Sequence, residues 1–248
     1  MPYRTYIRAI YEKFGFLATW LPGQKLSVGD IGILKRGTFS REHSMKALGF
    51  DLDVDSSDAP IDLEHSSGSK IEFSADGNAS ASATGGASGL AAARIHFSET
   101  GGFVVRAVGC VEHYVVKGSE LRRAILQARL SGLWRDDWVV IDRVYTSEGL
   151  TVMVCNSTTG ALSLTAKVQS GPFDIASTAL GVQASAWEGD ITRIVAAKAV
   201  APMYSSARYR SGVFRDDRLE PARLQLRSGE ESAAQIVSVS LQDALDED

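Results

Sequence analysis

KIEFSADGNASASATGGASGLAAARIHF, residues 70–97, is the stretch on which the fold turns. From Lys70 to Thr84 the alternation is complete. Ile71, Phe73, Ala75, Gly77, Ala79, Ala81 and Ala83 fall on one face, and Lys70, Glu72, Ser74, Asp76, Asn78, Ser80, Ser82 and Thr84 on the other. A period of two predicts a strand, because successive side chains of extended backbone point to opposite faces. Most strands end after about 5–6 residues, so this one is long. Gly85, Gly86 and Gly89 supply a turn. Alternation then resumes with Ala91, Ala93, Ile95 and Phe97 against Arg94, His96 and Ser98. The expectation is a long hairpin. Its apolar face is built from small side chains, since 16 of the 20 residues from Ser74 to Ala93 are Ala, Ser or Gly. Such a face buries little area and holds weakly to a core.

Upstream, Tyr3, Tyr6, Ile7, Ile10, Tyr11 and Phe14 recur at helical spacing and predict an amphipathic helix over 3–14, with Gly15 as its stop. Arg4, Arg8, Glu12 and Lys13 lie off that stripe. Two roles fit: a surface helix packed on a sheet, or a basic, aromatic helix that meets an anionic membrane. Phe16 to Phe39 reads as short strands with turns at Leu21-Pro22-Gly23 and Gly29-Asp30. Residues 51–64 carry Asp51, Asp53, Asp55, Asp58, Asp62 and Glu64 with Pro60, and read as an exposed loop. The run DLDVD lacks the glycine and distal glutamate of a calcium loop.

Downstream, FVVRAVGCVEHYVV (103–116) predicts a strand. Gly118-Ser119 predicts a helix N-cap, followed by a helix over 119–131 with Leu121, Ala124, Ile125 and Ala128 inward and Gly132 closing it. WVVIDRVYT (138–146), the turn SEGL and TVMVCNS (151–157) read as a second hairpin. Residues 161–168 alternate again, and another strand pair is expected at roughly 173–200. The fold expected from these elements is α+β: a twisted, mostly antiparallel sheet with two long amphipathic β-hairpins and a few flanking helices.

Bulk numbers narrow the function. The chain has 248 residues and a net charge of −4, against a general nucleic-acid-binding role. Cys110 and Cys155 stand 45 residues apart and suit two free thiols on strands rather than a metal site or disulfide framework. His43, His65, His96 and His113 show no metal-ligand spacing. There is no P-loop, no nucleophile elbow and no dinucleotide fingerprint, so neither enzyme activity nor a metal or cofactor is expected. No run of 18 apolar residues marks a membrane helix, and MPYRTYIRAIYEKFG lacks the apolar core of a secretory signal. Those exclusions do not touch membrane strands, which need only about 9–11 alternating residues. The run 70–84 exceeds that length. A small-residue face opposite a polar one suits a chain that must exist both in water and in lipid. An ordinary long hairpin with one solvated face fits the same pattern.

Charge is divided along the chain. Residues 211–248 hold nine acidic and four basic residues, whereas 1–210 hold 21 acidic and 22 basic. A boundary is expected near SSARYRSGVFRDDR (205–218), giving a domain over 1–210 and an acidic tail over 211–248.

The order long hairpin (70–98), strand (103–116), short helix (119–131), second hairpin (138–168), behind a basic N-terminal helix, resembles the pore-forming N-terminal domain of gasdermins. The resemblance covers about residues 3–200. In size the chain is similar to the fungal and bacterial gasdermin-like proteins, although it has no cysteine near its start, which removes lipidation-assisted insertion from the expectation. The resemblance implies an effector of cell death or defence that oligomerises and inserts β-hairpins into acidic membranes. Arg4, Arg8 and Lys13 would then contact lipid. The inserting residues would be Ile71, Phe73, Ala75, Ala79, Ala81, Ala83, Ile95 and Phe97 of the first hairpin, with Val140, Val144, Val152, Val154, Leu162 and Leu164 of the second. The partners implied are acidic membrane lipids, further copies of the chain or of a paralogue, and an activating protease cutting after Arg210 or Arg215 to release an inhibitory tail. The protein would be cytoplasmic until it moves to the membrane. The alternative is a soluble β-rich protein-binding module, a scaffold or toxin-neutralising protein, using its sheet edges.

Overall fold

The computed structural model describes residues 2–21, 24–68, 71–76, 91–166, 184–211 and 234–246. The described elements are helices α1 (Pro2–Phe14), α2 (Gly118–Leu130) and α3 (Leu241–Asp246), and strands β1 (Leu17–Ala18), β2 (Asp30–Lys35), β3 (Thr38–Ser44), β4 (Val54–Ser56), β5 (Ile61–Ser66), β6 (Ile71–Asp76), β7 (Ala91–Phe97), β8 (Phe103–Val115), β9 (Trp138–Cys155), β10 (Gly160–Ala166), β11 (Ala184–Glu188), β12 (Ile191–Ser211) and β13 (Ala234–Ser238). The fold is α+β and its strands pair antiparallel.

Two compact units divide these elements, one made of Met1–Leu26, Ser56–Glu112 and Tyr145–Tyr204, the other of Ser27–Asp55, His113–Val144 and Ser205–Asp248. The long strands β8, β9 and β12 run through both units.

In the first unit α1 presents the predicted stripe inward: Tyr6, Ile7 and Ile10 are buried, and the Tyr6 ring meets Phe103 edge-on at 5.5 Å. Burying side chains of this size stabilises by about 1.5–3 kcal/mol each, which fixes a helix too short to stand alone in water. Gly15 ends it at φ +77°, its N–H donating to the Tyr11 carbonyl at 2.8 Å; glycine takes this left-handed backbone without a Cβ clash. β1 pairs with β12, Leu17 opposite Tyr204.

In the second unit α2 lays Leu121, Ala124, Ile125 and Ala128 against Ile31, Trp138, Val140 and Ala207. Ile236 of β13 packs on the same cluster. β13 pairs with the end of β12, and the Gly37 N–H donates to the Ala244 carbonyl of α3 at 2.6 Å. Segments on either side of residue 210 therefore share one core.

Three local expectations are corrected. SEGL is no turn, because β9 continues through it as one 18-residue strand. Ser147 and Leu150 are buried there, and the Ser147 hydroxyl reaches the Val200 carbonyl at 3.4 Å. Local turn chemistry yields to burial along a central strand. The acidic loop 51–64 contains β4 and β5, both paired to β8; Asp62 and Glu64 face the Arg106 guanidinium at 3.9 and 3.0 Å. Helix α2 begins one residue earlier than the Gly118-Ser119 cap implied. Its N-cap is Lys117, which makes no side-chain cap bond. The strand expected at 161–168 is present over Gly160–Ala166. It appears as β10, paired to β7 and β11. Cys110 and Cys155 are free and buried on β8 and β9.

Candidate functional site

The four strands β6, β7, β10 and β11 form a separate sheet in the first unit, in the order β11-β10-β7-β6. Register decides its character, because residues directly opposite one another on antiparallel neighbours share a face. Phe73 stands opposite Ile95, Ile95 opposite Leu162, and Leu162 opposite Trp187. The next row runs Ala75, Ala93, Leu164, Ala184, and the row before it Ile71, Phe97, Gly160. Between them lie Glu72, His96, Ala161, Glu188 and then Ser74, Arg94, Ser163, Ala186. Apolar rows therefore alternate with more polar ones across β6, β7 and β10, and β11 joins them with a register shift between Ser163 and Leu164 that passes over Ser185. A slip of one residue in any pairing would mix the faces.

One part of the apolar set is seated in protein. Ile95, Phe97 and Leu162 are almost wholly buried, as is Ala161 of the polar rows. Gly160 is required by its neighbours, since a Cβ there would stand 2.9 Å from the Cys155 sulfur. Glu188 is exposed.

The sequence-derived candidates fall into three groups. Ile71, Phe73, Ala75, Ile95, Phe97, Leu162 and Leu164 come together on the rows of this sheet. Val140, Val144, Val152 and Val154 do not: they lie on β9, all buried, the last two at 0 % exposure. Ala79, Ala81 and Ala83 lie outside the described residues. Trp187 joins the Phe73 row through β11 and went unread as a site residue. ASAWE offers no alternation to mark it, because Trp187 shares its phase with Ser185 and Glu188 shares that of Ala184 and Ala186.

Of the basic candidates on α1, Arg8 and Lys13 are exposed and Arg4 is half-buried, with its Nε out of water and, among the described residues, without a hydrogen-bond partner. The Tyr3 ring stacks on Trp20 at 5.3 Å beside them. Arg210 sits on β12 opposite Gln235 of β13, and Arg215 lies outside the described residues.

Among the described residues no group of three or more His, Cys, Asp and Glu side chains is placed to hold a metal ion, and no helix is long and apolar enough to cross a membrane. Burial and the nearby Asp62 carboxylate push the Cys110 thiol up to about 12, so it is no nucleophile at neutral pH.

The fold and the amphipathic sheet define a class: an α+β chain with a register-aligned set of two-faced strands. No family model matches the chain, and no curated protein matches it. Among solved structures it is similar to a bacterial gasdermin from Bradyrhizobium tropiciagri, with a TM-score of 0.33 and 9% identity over 85% of this chain and 87% of that one. It is also similar to the gasdermin A3 membrane pore, with a TM-score of 0.32 and 10% identity over 88% of this chain and 97% of that one. The likeness is weak and confined to the fold.

Proposed function

We propose that this protein is a non-enzymatic, membrane pore-forming effector of cell death or defence, which oligomerises and inserts its two-faced strands into acidic membranes. One observation carries the reading: the apolar rows of β6, β7 and β10 are in register, and the Phe73–Ile95–Leu162 row continues to Trp187 on β11. In the sequence the same phase runs on through Ala79, Ala81 and Ala83. A membrane strand needs one lipid-facing and one water-facing side over about 9–11 residues. β6 and β7 have six and seven described residues, so an inserting strand of that length would have to include part of residues 77–90. Arg4, Arg8 and Lys13 would draw α1 to anionic lipid. β6 and β11, the two ends of the sheet order, would pair with neighbouring copies, the general fate of an open strand edge. The protein would be cytoplasmic before it moves to the membrane. Residues 211–248 would restrain it until a protease cuts after Arg210 or Arg215. The pairing of Arg210 with β13 counts against cleavage there, because a protease needs an unpaired strand to bind.

The burial of Ile95, Phe97 and Leu162 favours a second reading, a soluble binding module whose apolar rows belong to a permanent core. Dye release from liposomes separates the two. The pore reading expects leakage from anionic but not zwitterionic vesicles, by the full or the tail-trimmed chain, and its loss in Ala79→Lys and Ala81→Lys with the soluble fold intact. A charge in the middle of a membrane strand costs about 2–4 kcal/mol. Absence of leakage from every vesicle by both forms sinks it.

A further inference from the structure

His65, on β5, lies under the last turn of α1. Its ring stands edge-on to Phe14, the final helical residue, at 5.8 Å, and to Phe103 of β8 at 5.5 Å. A cavity of about 20 Å³ opens beside it, lined by Tyr6, Ile10, Phe14, Val105 and Met203 among others. That is room for about one water molecule. The charged groups around the ring are few. Helix α1 brings Lys13, a second cation. β5 itself brings Glu64, whose carboxylate is taken up by Arg106 of β8 at 3.0 Å. β12 brings Pro202 and Met203, which carry no charge. Neutral imidazole suits this aromatic and apolar seat. Imidazolium suits it less, because the half-buried ring is hydrated poorly on its aromatic and apolar side and Lys13 repels it.

We propose that His65 is a proton-sensitive latch for the C-terminal turn of α1: the neutral ring seats Phe14, and the protonated ring releases it. This goes beyond the pore reading and holds with or without lipid. Burial, and then Lys13, lower the affinity of the docked ring for a proton below the ordinary histidine value of 6.5. Well above pH 6.5 the ring is neutral whether α1 is docked or released, and pH does nothing. Below it the released form takes up the proton and the docked form resists, so docking weakens as pH falls until the docked ring titrates as well. One proton limits the change to tenfold per pH unit.

Hydrogen exchange of the full chain without lipid tests this on residues 10–15, where the Gly15 N–H is bonded to the Tyr11 carbonyl. After correction for intrinsic exchange, protection of this segment should be constant from pH 8 to about 7.5, begin to fall near pH 6.5, and fall by up to tenfold per unit below that. His65→Phe keeps an aromatic ring that cannot titrate and should flatten the profile; His65→Gln is the second neutral variant if the first misfolds. Lys13→Ala should shrink the response. A flat wild-type profile to pH 5, or an equal fall in the neutral variants, overturns the latch.

Discussion

Gly32 shows how one side-chain atom sets an edge of the fold. A Cβ at this position would overlap the Ser40 carbonyl and crowd the Phe39 ring, because β2 and β3 cross here at a register shift between Ile31 and Gly32. Gly32→Ala should destabilise by about 1–3 kcal/mol, read as a lower denaturant midpoint, since the strand pair must separate to admit the methyl. Close by, Asp30 is buried, accepting from the Ser27 N–H at 2.9 Å and facing the Arg41 guanidinium at 3.1 Å. Burial raises its carboxyl pKa against those two partners. Neither arrangement is visible in a one-dimensional pattern: DIGIL reads as a strand, and nothing in it announces that one position faces backbone instead of space.

At the scale of elements, periodic segments were legible and pairings were not. α1 and α2 lie where 3.6-residue spacing placed them, with Tyr6, Ile10, Leu121 and Ile125 inward. Ile125 is wholly buried against Ile31 and Trp138. Ile125→Ala should cost about 2–5 kcal/mol, and a smaller loss would mean that the cluster collapses into the space. The hairpin at β6 and β7 was equally legible. The identity of the second hairpin was not. β10 pairs with β7, Gly160 opposite Phe97 and Ala166 opposite Ala91, and alternation states which residues share a face but never which strand lies alongside. The SEGL error has the same origin, for Ser-Glu-Gly is good turn chemistry until both flanks are buried. Leu162→Lys tests the row at Ile95 and Trp187: a buried unpaired charge should unfold the four-stranded sheet and lower the melting temperature of the soluble protein.

At the scale of the whole molecule, the acidic tail is the main surprise. Its charge marks it off in sequence, yet β13 completes a pairing with residues 207–211 of β12, and Val239, Ala244 and Leu245 are buried. Arg208 on β12 and Asp243 on α3 approach to 3.7 Å, and the Ser240 N–H and hydroxyl both donate to Asp243. A chain ending at residue 233 should therefore expose Ile236's seat on the α2 cluster and lose stability in the second unit, seen as faster exchange of the Ile125 amide. Cleavage after Arg215 without dissociation should leave that protection unchanged. Such a nicked chain separates cutting the tail from removing it, which a leakage assay alone cannot do.

The sequence by itself determined the two-faced character of residues 70–97, the amphipathic helices, the charge contrast of the tail and the absence of an apolar membrane helix. These are local properties, written in residue spacing and read without knowing any partner. Only the tertiary structure decided that Leu162 and Trp187 extend the Phe73–Ile95 row, that β9 passes straight through SEGL, that His65 lies under Phe14, and that β13 of the acidic tail pairs with β12 and packs on the α2 cluster. Each of those depends on contacts between residues far apart in the chain, and burial against a distant partner outweighs what the neighbours along the chain prefer.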